Sequence, residues 1–401
     1  MAGVGGKRIV LGVTGSIAAF KAAQLCSTLV QAGAEVDVIL TDAAQKFVTP
    51  LTFQSLTHRP VFADLFDTLP DLSIAHVALG ARADALVICP ASATTLARLA
   101  RGSAEDMLSS TALASKAPLV IAPAMNVNMW EHPATQENVA ILRRRGAIQV
   151  GPVVGHLAEG MSAMGRLAPL EDIQAALSMA MGRREPWLGR HVVVTAAGTQ
   201  EPIDPVRYVG NRSSGKMGYA VATAARDRGA RVTLIAGPTA LPTPWGVERR
   251  PVATTREMQQ AVLDACREAA VLIMAAAVAD YRPEVVAEHK IKKQAQQELT
   301  LHLTENPDIL VSVHQRYGDG LIKVGFAAES RDVLAEAARK LVAKGLHLIC
   351  ANDVTEAGSG FGTDTNRVTI LGRDGRREDL PLLPKEDVAE RLLDEVEALL
   401  K

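Results

Sequence analysis

Aromatic side chains are scarce in this sequence of 401 residues, only 3% of the total. Platforms that stack nucleic-acid bases are built from such side chains, so that class of partner is disfavoured. An excess of one charge is missing too: 43 Lys and Arg face 44 Asp and Glu, a formal net charge of −1. Nothing therefore draws the whole chain toward nucleic acid or a membrane surface. The four cysteines, Cys26, Cys89, Cys266 and Cys350, are scattered and form no CxxC pair. That spacing points to neither a disulfide framework nor a cysteine zinc site, and it suits a reducing cytosol. No apolar run approaches the roughly 20 residues of a membrane helix. The longest, near residues 269–279, reads as a buried strand. The first strand begins near Lys7 with no signal-peptide pattern before it. These absences predict a cytoplasmic protein whose partners are neither nucleic acid nor membrane.

What is present suffices for large cores. The chain is 48% hydrophobic and 22% charged, and its length suggests two or three domains. Residues 7–13 read as an apolar strand, followed by a loop at 14–18 and a helix with apolar positions Ala18, Ala22, Leu25 and Leu29. Gly33 stops that helix, and residues 35–40 read as the next strand, completing a βαβ unit. Further strands are predicted at 85–89 and 119–122, each running into a loop of small hydroxyl or amide residues. Residues 181–189 combine charges, Gly and Pro after a helix and read as a break between domains. The strand–loop–helix–Gly–strand pattern then starts again, with strands at 191–195 and 231–235 around a helix that ends near Gly229. The predicted fold is α/β: two Rossmann-like domains, mainly parallel sheets flanked by helices. The expected boundaries are 1–182, a linker at 183–190, and 191–401.

The loops carry the chemistry. Neither βα loop is GxGxxG, so a dinucleotide fingerprint is absent and a generic NAD(P) oxidoreductase is disfavoured. The second loop, Asp-Pro-Val-Arg-Tyr-Val-Gly-Asn-Arg-Ser-Ser-Gly-Lys-Met-Gly at 204–218, nearly forms a P-loop. Met217 stands where a P-loop has Ser or Thr for Mg²⁺, so that motif is rejected. The loop is then either an anion site at a helix start or an ordinary βα loop with a Ser cap. In the first half, Ser16, Ser92, Thr94 and Asn126 lie where strands run into helices. Each alone fits a helix cap, and together they suit a neutral, hydrogen-bonding crevice. His76 lies just after the N-cap position Ser73 and off the apolar positions Ile74, Val77, Ala78 and Ala81. It is a solvated surface histidine or a neutral hydrogen-bond partner. The Lys-Ile-Lys-Lys run at 290–293 is a solvated face or a phosphate contact.

Taken together, these strings closely resemble the bifunctional phosphopantothenoylcysteine decarboxylase/phosphopantothenate–cysteine ligase family of coenzyme A biosynthesis. The resemblance covers essentially the whole chain and implies a flavodoxin-like flavin-binding half followed by a ligase half. For the flavin half it implies FMN contacts at Gly15, Ser16, Thr41, Ser92, Thr94 and Met125, with His76 and Asn126 orienting the cysteinyl end of the substrate. In the reaction this resemblance implies, the substrate thiol is oxidised by FMN. The thioaldehyde loses CO₂ to give an enethiolate, and the reduced flavin converts this to the thiol. The family has a loop cysteine that supplies the last proton; here Glu159 stands in its place. A carboxylic acid can donate that proton, so Glu159 is either this acid or a solvated loop residue.

For the ligase half the resemblance implies that Asn211 holds an acyl–nucleotide intermediate and that Ser213, Ser214, Gly215 and Lys216 bind substrate. Ala276, Asp280, Lys290, Phe326, Lys340 and Lys344 would surround the nucleotide. That nucleotide would be CTP as co-substrate, with Mg²⁺ held by residues the sequence does not identify. The substrates implied are 4′-phosphopantothenate, cysteine and CTP. The assembly implied is a homo-oligomer, with trimers of the flavin half and dimers of the ligase half giving a dodecamer. Two narrower readings stay open: a ligase with an impaired flavin domain, and a regulatory FMN-binding protein.

Overall fold

The computed structural model describes residues 4–66, 74–292, 299–329, 331–353, 355–356, 358–360 and 362–401. The chain forms two compact units, residues 1–183 and 184–401.

In the first unit, six parallel strands form one sheet: β1 (Arg8–Val13), β2 (Glu35–Leu40), β3 (Val61–Phe62), β4 (Ala85–Ala91), β5 (Leu119–Pro123) and β6 (Ile148–Gln149), in the order β3-β2-β1-β4-β5-β6. That is a doubly wound order, and without the two-residue β3 it reduces to the flavodoxin arrangement. The central strands are mostly apolar because both faces are covered; all seven residues of β4 are buried, while β1 and β2 each open on an exposed charge, Arg8 and Glu35. Helices α1 (Ala19–Gln31), α2 (Pro50–Thr57), α3 (Ala75–Arg82), α4 (Ala93–Arg101), α5 (Met107–Ala114), α6 (Val127–Glu131), α7 (Pro133–Arg144) and α8 (Leu170–Gly182) supply the cover. On one face Val10, Ile39, Leu86, Ile88 and Ile121 pack with Leu79, Leu96, Leu99, Leu108 and Leu142 from four of these helices. A hairpin, β7 (Val153–His156) and β8 (Ser162–Arg166), stands apart from the sheet.

The second unit repeats the design. Its sheet contains β9 (His191–Ala196), β12 (Arg231–Ala236), β13 (Glu248–Pro251), β14 (Val271–Met274), β17 (Ile322–Glu329) and β18 (Leu348–Asp353), all parallel. An antiparallel extension, β20 (Thr369–Gly372) and β21 (Arg377–Asp379), completes the order β13-β12-β9-β14-β17-β18-β20-β21. The parallel part has the same doubly wound order as the first sheet. Short antiparallel pairs lie outside it: β10 (Gln200–Pro202) with β11 (Tyr208–Gly210), β15 (Tyr281–Pro283) with β16 (Leu303–Glu305), and β19 (Thr365–Asn366) with β22 (Leu383–Pro384). The helices are α9 (Lys216–Asp227), α10 (Thr255–Ala265), α11 (Ile309–Tyr317), α12 (Val333–Ala343) and α13 (Lys385–Leu400). Strand residues alternate between two cores. Val192, Val194, Leu234 and Ile273 face Val221, Ala225, Leu392 and Val396. Val193, Ile235, Leu272 and Ile349 face Met258, Val262, Val313 and Leu341.

The segment expected to be a linker departs from that reading. Trp187 is fully buried in the core of the second unit. Its Nε1 donates to Glu397 Oε2 at 2.8 Å, and Arg184 pairs with Asp394 and Glu397. The charges, Gly and Pro mark a chain break, but the buried indole ties residues 184–190 to the second unit. The four cysteines are free and buried; burial pushes the Cys26 and Cys266 thiols up to about 12.

Candidate active sites

In each unit several of the sequence-predicted residues lie at the carboxyl ends of the central parallel strands, where such sheets bind ligands. In the first unit Thr14, just after β1, is buried; its hydroxyl donates to Pro90 O at 2.7 Å and accepts from Ser92 N at 2.9 Å. This hydroxyl locks the first loop to the end of β4, a role the sequence reading missed. Ser16 Oγ reaches Ala124 O at 3.5 Å, and Thr41 Oγ1 donates to Val13 O at 3.5 Å. A Cβ on Gly15 would sit 2.5 Å from Ala43 Cβ, so the loops after β1 and β2 are in direct contact. Ser92 caps α4 by accepting from Thr95 N, while Thr94 is exposed. The N–H groups of Ser16 and Ile17 have no partner among the described residues. Open N–H groups in this loop suit a phosphate-bearing group, while the Ser16, Thr41 and Ser92 hydroxyls donate to Ala124 O, Val13 O and Thr95 Oγ1.

Asn126 and Glu159 meet. Asn126 caps α6 by accepting from Asn128 N at 2.8 Å, and its Nδ2 donates to Glu159 Oε1 at 3.1 Å. Glu159 lies between β7 and β8. That hairpin is pinned to the end of β5 where Met125 N donates to Gly165 O at 3.0 Å, and a Cβ on Gly165 would meet Met125 O at 2.2 Å.

His76 is half-buried near the start of α3. Its imidazole has no hydrogen bond or ion pair among the described residues. The buried face of its helix is Ala75, Leu79 and Gly80, whereas Ile74 and Val77 are exposed. The expected apolar face is therefore wrong. Small residues let α3 lie against α5, where a Cβ on Gly80 would be 3.0 Å from Thr111 O. Ser73, the expected cap, lies outside the described residues.

The second unit holds a cavity of about 990 Å³. Asn211, Ser213, Ser214, Gly215, Lys216, Ala276, Asp280, Phe326, Lys340 and Lys344 all line it. Asn211 is fixed from behind: its Nδ2 donates to Val278 O at 2.8 Å. Helix α9 begins without the serine cap that the bland reading expected. Its N-cap is Gly215 at φ +81°, in the left-handed region that favours glycine. Ser213 and Ser214 instead turn their hydroxyls back to the N–H groups of Gly215 and Lys216, at 3.3 and 3.5 Å. Met217 and Gly218 also line the cavity, and first-turn N–H groups have no intrahelical acceptor.

Three of the cavity lysines are paired with carboxylates: Lys216 with Asp364 at 2.6 Å, Lys340 with Glu329 at 2.5 Å and Lys344 with Asp308 at 2.9 Å. Hydrogen bonding and charge from Lys216 hold the Asp364 carboxyl below the usual range. Lys290 is exposed and is not among the cavity's lining residues. Its neighbour Ile291 is nevertheless tied to the signature loop, donating through N–H to buried Asp204 at 3.1 Å. Burial works to raise the Asp204 pKa, but N–H groups of Val206, Ile291 and Arg207 outweigh it and hold the carboxyl below its ordinary value. Lys293 lies outside the described residues.

The sequence reading missed two parts of this wall. Residues 305–310 line the cavity through the turn before α11, whose Asp308 cap accepts from Val311 N; Asn-Pro-Asp before an apolar helix was the available signal. Lys385, the first residue of α13, also lines it. Among the described residues no three His, Cys, Asp or Glu side chains converge as a metal-binding group. No helix there is long and apolar enough to cross a membrane.

Comparison with known proteins places these halves. Residues 3–182 match the Flavoprotein family, and residues 187–400 match the DNA/pantothenate metabolism flavoprotein C-terminal domain. The coenzyme A biosynthesis bifunctional protein CoaBC of Bacillus subtilis is 45% identical over 398 residues, covering 98% of each chain. The Escherichia coli protein of the same name is 43% identical over 396 residues, covering 98% of this chain and 97% of its own. Among solved structures, the C-terminal domain of a coenzyme A biosynthesis bifunctional protein CoaBC aligns at 38% identity and a TM-score of 0.46, covering 53% of this chain and 96% of that one. The FMN-dependent cysteine decarboxylase SpaF aligns at 37% identity and a TM-score of 0.39, covering 44% of this chain and 95% of that one. This chain belongs to the family of the coenzyme A biosynthesis bifunctional proteins.

Proposed function

We propose that this bifunctional enzyme first joins 4′-phosphopantothenate to cysteine and then decarboxylates the product to 4′-phosphopantetheine. The observation that carries the reading is 45% identity over 98% of the chain to a bifunctional coenzyme A biosynthesis protein. The clustering of the signature residues on one cavity wall supports it.

In the ligase half a carboxylate oxygen of phosphopantothenate attacks the α-phosphate of CTP, releasing pyrophosphate and forming the acyl–cytidylate. The cysteine amine then attacks the acyl carbon, and CMP leaves. Asn211, held by Val278 O, presents its side chain to the acyl intermediate as a neutral hydrogen-bonding partner. Ala276, Asp280 and Phe326 bound the nucleotide, and Lys340, Lys344 and Lys290 meet its phosphates. Ser213, Ser214, Gly215 and Lys216 receive the substrate. Mg²⁺ would enter on the nucleotide's phosphates; Asp280 and Glu305 are the cavity carboxylates without an ion pair among the described residues, whereas Asp308 is paired with Lys344.

In the flavin half, Gly15, Ser16, Thr41, Ser92, Thr94 and Met125 would hold FMN, which when bound takes two electrons from the substrate thiol and returns them after CO₂ has left. His76 and Asn126 orient the cysteinyl end. Asn126 Nδ2 occupies one oxygen of Glu159, leaving the other to carry a proton to the enethiolate carbon. The compartment is the cytoplasm. The assembly is a homo-oligomer with trimeric flavin halves and dimeric ligase halves; exposed Phe20, Leu51 and Phe66 in one unit and Tyr208, Val285 and Leu303 in the other support it.

Pyrophosphate release tests the ligase half: it should require phosphopantothenate and favour CTP over ATP. Glu159→Gln tests the acid. We expect substrate-dependent flavin reduction and CO₂ release to continue while phosphopantetheine formation falls at least tenfold. Full turnover by this variant would remove Glu159 from the mechanism. The reading of an impaired flavin half requires the wild type itself to stop before phosphopantetheine.

A further inference from the structure

The fourth cavity lysine differs from the other three. Lys385 is only 5% exposed, yet no carboxylate lies within ion-pair distance of it among the described residues. Its Nζ donates to Thr363 O at 2.6 Å and Gly360 O at 3.2 Å. An ammonium has three donors, so one remains. Burial, and next the charge of nearby Lys216, hold this lysine below its usual range, against the pull of Asp364 and Glu386. A buried charge solvated only by carbonyl dipoles is costly unless a counter-ion arrives. Beside it, Lys216 spends its charge on Asp364, whose side chain is 88% exposed and can turn to water.

We propose that Lys385 and Lys216 form a phosphoryl-binding subsite at the α9 end of the cavity, and that Asp364 occupies Lys216 until a phosphoryl group displaces it. The subsite deepens the ligase reading and rests on it for the identity of the ligand. Lys suits this task as a point charge beside uncapped helical N–H groups. Lys340 and Lys344 lie on and just after α12, and their partners Glu329 and Asp308 are far less exposed than Asp364. The chemistry is that of a phosphate ester, and two sources could supply it: the phosphate of phosphopantothenate or the phosphates of the nucleotide.

Calorimetric titration of the full-length protein tests the proposal with phosphopantothenate, pantothenate, CTP and inorganic pyrophosphate as separate ligands. Lys385→Gln keeps an N–H for the loop carbonyls and removes the charge. Its affinity should fall roughly ten- to hundredfold for the phosphoryl ligand seated there. A loss confined to phosphopantothenate, with pantothenate unchanged, assigns the subsite to the acid substrate. A loss confined to CTP and pyrophosphate assigns it to the nucleotide. Equal affinity of wild type and variant for every ligand overturns the proposal. Should Lys385→Gln not fold, Asp364→Asn decides. Removing the competing carboxylate should tighten phosphoryl binding several-fold, and an unchanged affinity overturns it. Wild-type protein that binds pyrophosphate but neither phosphopantothenate nor CTP would refute the ligase reading while leaving the subsite standing.

Discussion

Gly218 lets the ligase half be perturbed without touching a side chain of its cavity. The glycine lies in the first turn of α9, directly against β9. A Cβ added there would sit 2.6 Å from both Thr195 O and Ala196 Cβ. Ordinary contact begins near 3.4 Å, so Gly218→Ala must move helix and strand apart by about 0.8 Å. Neither obstacle can yield by a rotamer change, since one is a strand carbonyl and the other the first atom of a buried side chain. The displaced turn carries Gly215, Lys216 and Met217, all lining the cavity. Misplacement of this size can lower turnover about a hundredfold, and overpacking of this kind costs about 1–3 kcal/mol. The expected result is ligation reduced about a hundredfold, with the second unit less stable by that amount. Decarboxylation of phosphopantothenoylcysteine supplied directly is the internal control, because the first unit has its own core; it should be unchanged. Ligation at the wild-type rate with unchanged stability would refute the argument that close helix–strand approach positions this loop.

Trp187→Ala should destabilise the second unit by about 3–5 kcal/mol, because the indole is fully buried and its Nε1 bonds Glu397; denaturant unfolding would show it, and a change below 1 kcal/mol would restore the linker reading. His347 gives a pH dependence. Its Nδ1 accepts from Lys323 N at 3.1 Å, which requires the neutral ring. Burial first, then Arg373, Lys323 and His314, push its pKa down to about 4, with Asp319 opposing. The unfolded chain takes up this proton near pH 6.5 and the folded one does not, so this contribution is complete above that pH and is lost as pH falls toward 4. After discounting for partial exposure the loss is about 1–2 kcal/mol. His347→Gln should remove that much of the difference between urea midpoints at pH 7 and pH 4.5, and an identical pH dependence would contradict it.

Continuous apolar runs followed by helix-spaced apolar positions made the two βαβ beginnings legible, and the parallel part of each sheet continues that pattern. Strand ends rich in Ser, Thr and Asn marked loops that meet one another, as Thr14 meets Pro90 and Ser92 and Ser16 meets Ala124. What stayed hidden depends on contacts distant in sequence. Thr14 acts through Pro90 and Ser92, 76 and 78 residues away, and no local pattern reports that. Lys385 opens a helix that reads as an amphipathic tail, with Val388, Leu392 and Val396 buried; only folding brings its ammonium to the cavity. Trp187 was lost among Pro, Gly and charges because turn composition speaks for the backbone and not for an indole. His76 sits on a helix only eight residues long, too short for periodicity to distinguish its faces.

The most direct test of the account is mass spectrometry of the products formed by the purified protein from phosphopantothenate, cysteine, Mg²⁺ and either CTP or ATP. The account predicts phosphopantetheine and CO₂, with CTP preferred, from one polypeptide whose loop carries Glu159. Absence of both phosphopantothenoylcysteine and phosphopantetheine would contradict it and favour a regulatory flavoprotein.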